Sequence, residues 1–185
     1  MRIIAGEMRS RKLKAPEGMD TRPTADRVKE ALFSILLNDL PGARVLDLYG
    51  GSGALALEAL SRGAESAVIV DLSAKACQCI QENIDTLNCR DRARLLRMKD
   101  TAALAALQKQ GDAFDLIFLD PPYRMDNTGE IAGLLMDAAL LAPGFLIAAE
   151  HRRGAPPRAD ARFSALRTRR YGDTEITFLA AQEEG

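Results

Sequence analysis

Apolar positions along this chain follow two alternating rhythms. From Thr24, the expected N-cap, Val28, Ala31, Leu32, Ile35 and Leu36 fall at helical spacing until Pro41-Gly42 stops the pattern. Short apolar runs at 44–48, 66–71, 93–98, 114–120 and 144–150 then predict strands, separated by helical stretches at 53–62, 73–88, 101–110 and 129–141. A parallel strand connection needs a crossover long enough to hold a helix. The alternation therefore predicts an α/β domain whose doubly wound parallel sheet is covered on both faces. Phe163–Arg170 and Thr174–Ala180, joined through Tyr171-Gly172-Asp173, break the rhythm and predict an antiparallel hairpin at the end of the sheet. Residues 2–5 and 11–14 predict a second, small hairpin at the start. No repeat or linker divides the chain, so residues 1–185 read as one domain with a basic extension over 1–22.

With 47% hydrophobic and 28% charged residues, the 185-residue chain is neither disordered nor fibrous in composition. No apolar run approaches the ~18 residues of a membrane span. Three cysteines, an odd number, fit a reduced compartment better than a disulfide framework, which gives a cytoplasmic reading. The net charge of −1 conceals a division: residues 1–30 carry a balance of +3, 31–150 of −6, 151–170 of +6 and 171–185 of −4. Two basic segments on an acidic body suit a polyanionic partner without a high overall pI. The arginines of 151–170, unaccompanied by lysine, have the planar fork that matches phosphate. The plain alternative is a solvated surface.

In an open α/β sheet, ligands bind beyond the carboxyl ends of the strands. The first predicted strand ends in Asp47-Leu48-Tyr49-Gly50-Gly51-Ser52-Gly53, a glycine-rich turn running into a helix. The second ends in Asp71, where a carboxylate can accept both hydroxyls of a ribose. The third ends near Asp100-Thr101 and the fourth in Asp120-Pro121-Pro122-Tyr123. The turn formally matches a dinucleotide fingerprint. Asp47, however, would repel a pyrophosphate and suits a cationic sulfonium and amino group, which favours S-adenosylmethionine over a nicotinamide. Two prolines in succession remove local N–H groups. A carbonyl there and the Asp120 carboxylate can accept both hydrogens of an exocyclic NH₂, while Tyr123 offers a face for base stacking. A rigid turn after a buried strand is the structural alternative.

These residues resemble the bacterial 16S ribosomal RNA guanine-N2 methyltransferases of the RsmD type, over nearly the whole chain. The resemblance runs from Arg2-Ile3-Ile4-Ala5-Gly6 and Thr21-Arg22-Pro23-Thr24 through Leu46-Asp47-Leu48 and Gly51-Ser52-Gly53 to Leu57–Ala64. It ends with Asp-Pro-Pro-Tyr and Tyr171-Gly172-Asp173-Thr174. It implies a Rossmann-like class I methyltransferase with a mostly parallel seven-stranded sheet and a C-terminal antiparallel hairpin. The implied reaction moves a methyl group from S-adenosylmethionine to the N2 amine of one guanine of 16S rRNA (family position guanine 966) in a small ribosomal subunit or its assembly intermediate.

The resemblance assigns Asp47, Gly51, Ser52, Gly53, Asp71, Leu72, Asp100 and Thr101 to the cofactor, with Arg22 and Thr24 at its boundary with substrate. Asp120, Pro121, Pro122 and Tyr123 carry the guanine amine. Arg9, Arg11, Lys12, Lys14, Arg152 and Arg153 are the RNA contacts, and no metal is expected. Tyr49-Gly50 stands where the family usually has Phe-Ala, and Asp71 where glutamate is common. The glycine is expected to loosen the turn. A monomer is expected, because no long apolar helix face is left over. His151 reads as an exposed structural residue, and Cys77, Cys79 and Cys89 as packing residues without zinc spacing. Asp85, Asp91 and Asp112 read as solvated charges. The rival readings are an adenine-N6 methyltransferase, a noncatalytic RNA-binding relative and, more remotely, a nicotinamide oxidoreductase.

Overall fold

The computed structural model describes residues 1–16, 23–122 and 127–183. Its elements follow in the order α1 (Pro23–Ile35), β1 (Arg44–Asp47), α2 (Ala54–Ser61), β2 (Ser66–Asp71), α3 (Ala74–Leu87), β3 (Ala93–Arg97), α4 (Asp100–Gln110), β4 (Phe114–Leu119), α5 (Thr128–Asp137), β5 (Leu141–Arg152), β6 (Phe163–Tyr171) and β7 (Thr174–Ala181). The strands form one seven-stranded sheet in the order β3-β2-β1-β4-β5-β7-β6. All neighbours from β3 to β5 pair in parallel, and β7 runs antiparallel to both β5 and β6. The alternating pattern is thus realised as a doubly wound, mostly parallel sheet, whose order of winding reverses between β1 and β4.

Side chains alternate across the sheet with the strand period of two. Val45, Leu116 and Phe118 join α1, α2 and α3 on one face, through Phe33, Leu36, Leu57, Leu60, Ile80 and Ile84. Leu46, Ile117 and Leu119 join α4 and α5 on the other, through Leu104, Leu107, Ile131 and Leu135. The central strands are buried from both sides and read as apolar runs for that reason.

The boundaries differ from expectation in three places. Helix α1 begins at Pro23, so Thr24 lies inside the first turn and is not its N-cap. Proline suits the first helical position, where its missing N–H would have had no helical partner. Helix α5 ends at Asp137, and β5 starts early, at Leu141. Its register against β4 shifts between Phe114 and Leu116, which accommodates Pro143 and Gly144 within the strand. The expected N-terminal hairpin is present in short form: Arg2 bridges Lys12, and the Ile3 and Leu13 amides donate to the Arg11 and Met1 carbonyls at 3.0 Å.

That N-terminal segment is docked on α2 by the Glu7 amide, which donates to the Ser61 carbonyl at 2.8 Å, and by side chains. Glu58 of α2 is fully buried and accepts the Ile4 and Ala5 amides at 2.9 and 3.0 Å. Its charge is met by Arg62 at 2.8 Å and by the buried Lys29 of α1 at 3.3 Å. Ser61 continues the seam by accepting the Met8 amide and donating to the Ala5 carbonyl. Gly6, at φ +85°, makes the closest approach: a Cβ there would lie 1.7 Å from the Ser61 oxygen.

Candidate active site

Four neighbouring strands deliver carboxylates to the same edge of the sheet: Asp47 and Asp71 end β1 and β2, Asp120 follows β4, and Glu150 lies near the end of β5. After β1 the chain turns through Gly51 (φ +57°) and Gly53 (φ +77°), left-handed conformations that glycine adopts without strain. The Gly53 amide closes the turn on the Gly50 carbonyl at 2.6 Å, and the Gly50 amide donates to Val70 at 2.8 Å. Gly50 does not loosen this turn. A Cβ there would lie 2.4 Å from the Ile69 side chain, so the absence of one lets the turn pack down on β2.

The turn bounds a cavity of about 550 Å³. Leu48, Tyr49 and Gly51 form one wall, Asp71 and Leu72 a second, and Met98, Lys99 and Asp100 a third. Asp120, Pro121, Pro122 and Glu150 close it on the side of β4 and β5. Asp71 Oδ2 accepts the Gly51 amide at 2.9 Å and Oδ1 the Ser73 amide at 2.8 Å. Each oxygen keeps a lone pair for a ligand hydroxyl. Leu72, 66% exposed, offers an apolar platform beside it. Asp100 accepts from the Tyr49 hydroxyl at 3.0 Å and from the Thr101 amide at 2.6 Å. Burial and the Asp100 charge push the Tyr49 phenol above its ordinary range, so it stays a donor.

Asp47 lies beneath the cavity. Only 1% of its surface is exposed, and among the described residues neither carboxylate oxygen meets a donor in hydrogen-bonding geometry. Burial raises its pKa to about 7; the nearby Ala56 and Tyr49 amides oppose the shift and Asp71 adds to it. An orphaned buried carboxylate is costly and calls for a positive partner. Asp120 opens toward the cavity but has protein on its other sides. That crowding, with the Glu150 and Asp47 charges, pushes its carboxyl well above the usual range. With Asp71, Asp100, Asp120 and Glu150 on its wall against Lys99 alone among the described residues, the cavity favours a cation.

Residues 1–180 match the profile of a family described as Conserved hypothetical protein 95. Ribosomal RNA small subunit methyltransferase D of Escherichia coli K12 is 34% identical, over 100% of this chain and 92% of its own. The chain belongs to this RsmD-type family. The Haemophilus influenzae protein of the same name is 36% identical over 84% of this chain and 81% of its own. The solved structure of yhhF from Escherichia coli superposes with a TM-score of 0.86 at 34% identity, covering 100% of this chain and 99% of that one.

Of the residues expected at the site, this RsmD-type chain brings Gly51, Asp71, Leu72, Asp100, Asp120, Pro121 and Pro122 to the cavity wall. Ser52 is buried behind it, with its hydroxyl 3.4 Å from the Met1 sulfur, and Thr101 is exposed on α4 outside it. Arg22, Tyr123 and the Thr24 side chain lie outside the described residues. Glu150 went unnoticed in the sequence. Its signal was a lone carboxylate ending the apolar run 145–149, in the same position as Asp47, Asp71 and Asp120 on their strands.

The basic residues are less uniform than their spacing implied. Arg9, Lys12, Arg152 and Arg153 are exposed. Arg11 donates to the Thr86 carbonyl, and Lys14 pairs with Glu82 at 2.7 Å. Arg162 is held by Asp137 and Asp160, and Arg170 by Glu175. Arg158 is placed by a tight packing contact: a Cβ on Gly129, in the first turn of α5, would meet its backbone at 2.3 Å. His151 is not exposed. It is 7% accessible, and its ring nitrogens lie 2.8 Å from the Arg152 carbonyl and the Thr177 hydroxyl, because β5 and β7 enclose it. The three cysteines are buried and free. Asp85 and Asp112 are not merely solvated: they pair with Arg90 and Arg94.

Proposed function

We propose that this chain methylates the exocyclic N2 amine of a guanine in 16S rRNA, using S-adenosylmethionine, on a small ribosomal subunit or its assembly intermediate. The observation that carries the reading is the orphaned, buried Asp47 carboxylate under a cavity rimmed by Asp120-Pro121-Pro122. When bound, S-adenosylmethionine supplies an electrophilic methyl group on a cationic sulfur. The residues present fit it. Asp47 and the glycine turn suit its cationic amino-acid end, Asp71 its ribose and Leu72 with Asp100 its adenine. The names of the relatives support ribosomal RNA as the substrate class.

The chain's own contribution to catalysis is positioning. Asp120 accepts an N–H of the target amine together with a carbonyl of the proline loop, where two successive prolines leave no competing amide. Holding the nitrogen in line supplies most of the acceleration. The ionised form of Asp120 is the stronger acceptor for that N–H and the only one that can take a proton, and a cation bound nearby favours it against the desolvation that raises its pKa. As the amine loses its proton, Asp120 is the base within reach. The exposed arginines and Lys12 hold phosphates and contribute affinity with little sequence information. The guanine must be presented unstacked, since its amine is inaccessible within a helix.

The test is incubation with tritiated S-adenosylmethionine and small subunits lacking guanine-N2 methylation, followed by digestion to nucleosides. Label in N2-methylguanosine is the expected result. Label in N6-methyladenosine instead would transfer the assignment to the adenine-specific rival.

A further inference from the structure

Among the buried polar side chains that the catalytic reading does not use is Asn83 on α3. It is 1% exposed, and its amide is committed on every side. Oδ1 accepts the Lys14 amide at 2.8 Å, while Nδ2 donates to the Lys14 carbonyl at 3.0 Å and to the Ser52 carbonyl at 2.9 Å. One amide thus grips the basic arm by both backbone groups of Lys14, as a neighbouring strand would, and holds the glycine turn at the same time.

Ser52 sits between Gly51, which lines the cavity and is tied to Asp71, and Gly53, the N-cap of α2. The arm touches the same residue from its other end, through Met1 and the Ser52 hydroxyl. Arg11 and Lys14 add contacts to Thr86 and Glu82 on α3. Moving the arm away would break the paired bonds at Lys14 and leave a buried amide short of partners, which is unfavourable.

We infer that Asn83 is a positioning residue that couples the cofactor turn to the RNA-binding arm, so that occupation of the cavity and the grip on RNA reinforce each other. The inference rests on the proposed function and adds to it an ordered pair of sites. Coupling of this kind is reciprocal: whatever factor the cofactor adds to RNA affinity, RNA adds to cofactor affinity. Asparagine is the residue type the geometry demands. Aspartate keeps the acceptor for the Lys14 amide but has no donor for either carbonyl, and leucine has neither.

The experiment measures binding of the full chain to unmethylated small ribosomal subunits, with and without saturating S-adenosylhomocysteine. In the wild type the nucleoside is expected to tighten subunit binding by at least about fivefold. Asn83→Asp and Asn83→Leu should reduce that factor to within about twofold of unity, although each ligand alone still binds. A purely structural role would lower the melting temperature or both affinities without changing their ratio. If the variants do not fold, amide exchange in the wild type decides. S-adenosylhomocysteine should slow exchange of the Lys14 amide by about tenfold, because its acceptor is Asn83. An unchanged Lys14 rate, or a coupling factor that survives Asn83→Asp, overturns the inference and leaves the methyltransferase reading standing. Failure of the wild type to bind S-adenosylhomocysteine overturns both.

Discussion

The Tyr49 hydroxyl donates to Asp100 at 3.0 Å and so ties the turn after β1 to the first residue of α4 across the cavity. Tyr49→Phe should lower stability by about 1 kcal/mol, the net worth of one hydrogen bond. Asp100 retains the Thr101 amide, and calorimetry should find cofactor affinity within about threefold of wild type. A loss beyond about tenfold would mean that the hydroxyl itself contacts the cofactor.

Asp47 should set a conflict between stability and binding. A carboxyl whose pKa is raised on folding, here to about 7, binds a proton more tightly in the folded than in the unfolded chain. Its contribution therefore declines as pH rises from about 4 to about 7 and stays low above that, by roughly 4 kcal/mol at most. Asp47→Asn should raise the melting temperature of the ligand-free protein at pH 8 and abolish S-adenosylmethionine binding. In the wild type, affinity for this cation should increase with pH toward 7 and above, with proton release visible as a buffer-dependent heat. Normal binding by Asp47→Asn would remove the carboxylate from the cofactor's contacts.

Asp120→Asn should lower turnover by at least about 100-fold while leaving S-adenosylmethionine affinity within about threefold. The pKa of Asp120 is raised in the free protein, so the wild-type rate at subsaturating cofactor should increase with pH through the range where it ionises. That limb should disappear from the residual activity of the variant. Single-turnover assays across pH distinguish this from a change in product release.

Gly6→Ala is the substitution that most directly tests how the arm is seated. A methyl group would collide with the Ser61 carbonyl, and φ of +85° disfavours any side chain. A stability loss above about 2 kcal/mol is expected in urea denaturation. Subunit binding should weaken more than cofactor binding, since the clash displaces the segment that leads into Lys12 and Lys14.

Much of the fold was legible because its rules are local. A strand buried on both faces must be apolar throughout, so the runs ending at Asp47, Asp71 and Asp120 stood out with their terminal carboxylates. Helix ends were harder to place. Pro23 and Leu141 belong to elements whose starts depend on what they pack or pair against, and Thr24 looked like a cap only because capping residues also occur within first turns.

The alternation of elements, the glycine turn and the Asp-Pro-Pro loop are each written in adjacent residues. It took the assembled sheet to bring Glu150 beside Asp120, to leave Asp47 without a hydrogen-bond donor among the described residues and to enclose His151 against β7. The tertiary structure also decided that Asn83 reaches Lys14 and Ser52 across 69 and 31 positions of chain. Partnership and burial depend on how the sheet brings distant segments together, and no local pattern of side chains encodes that distance.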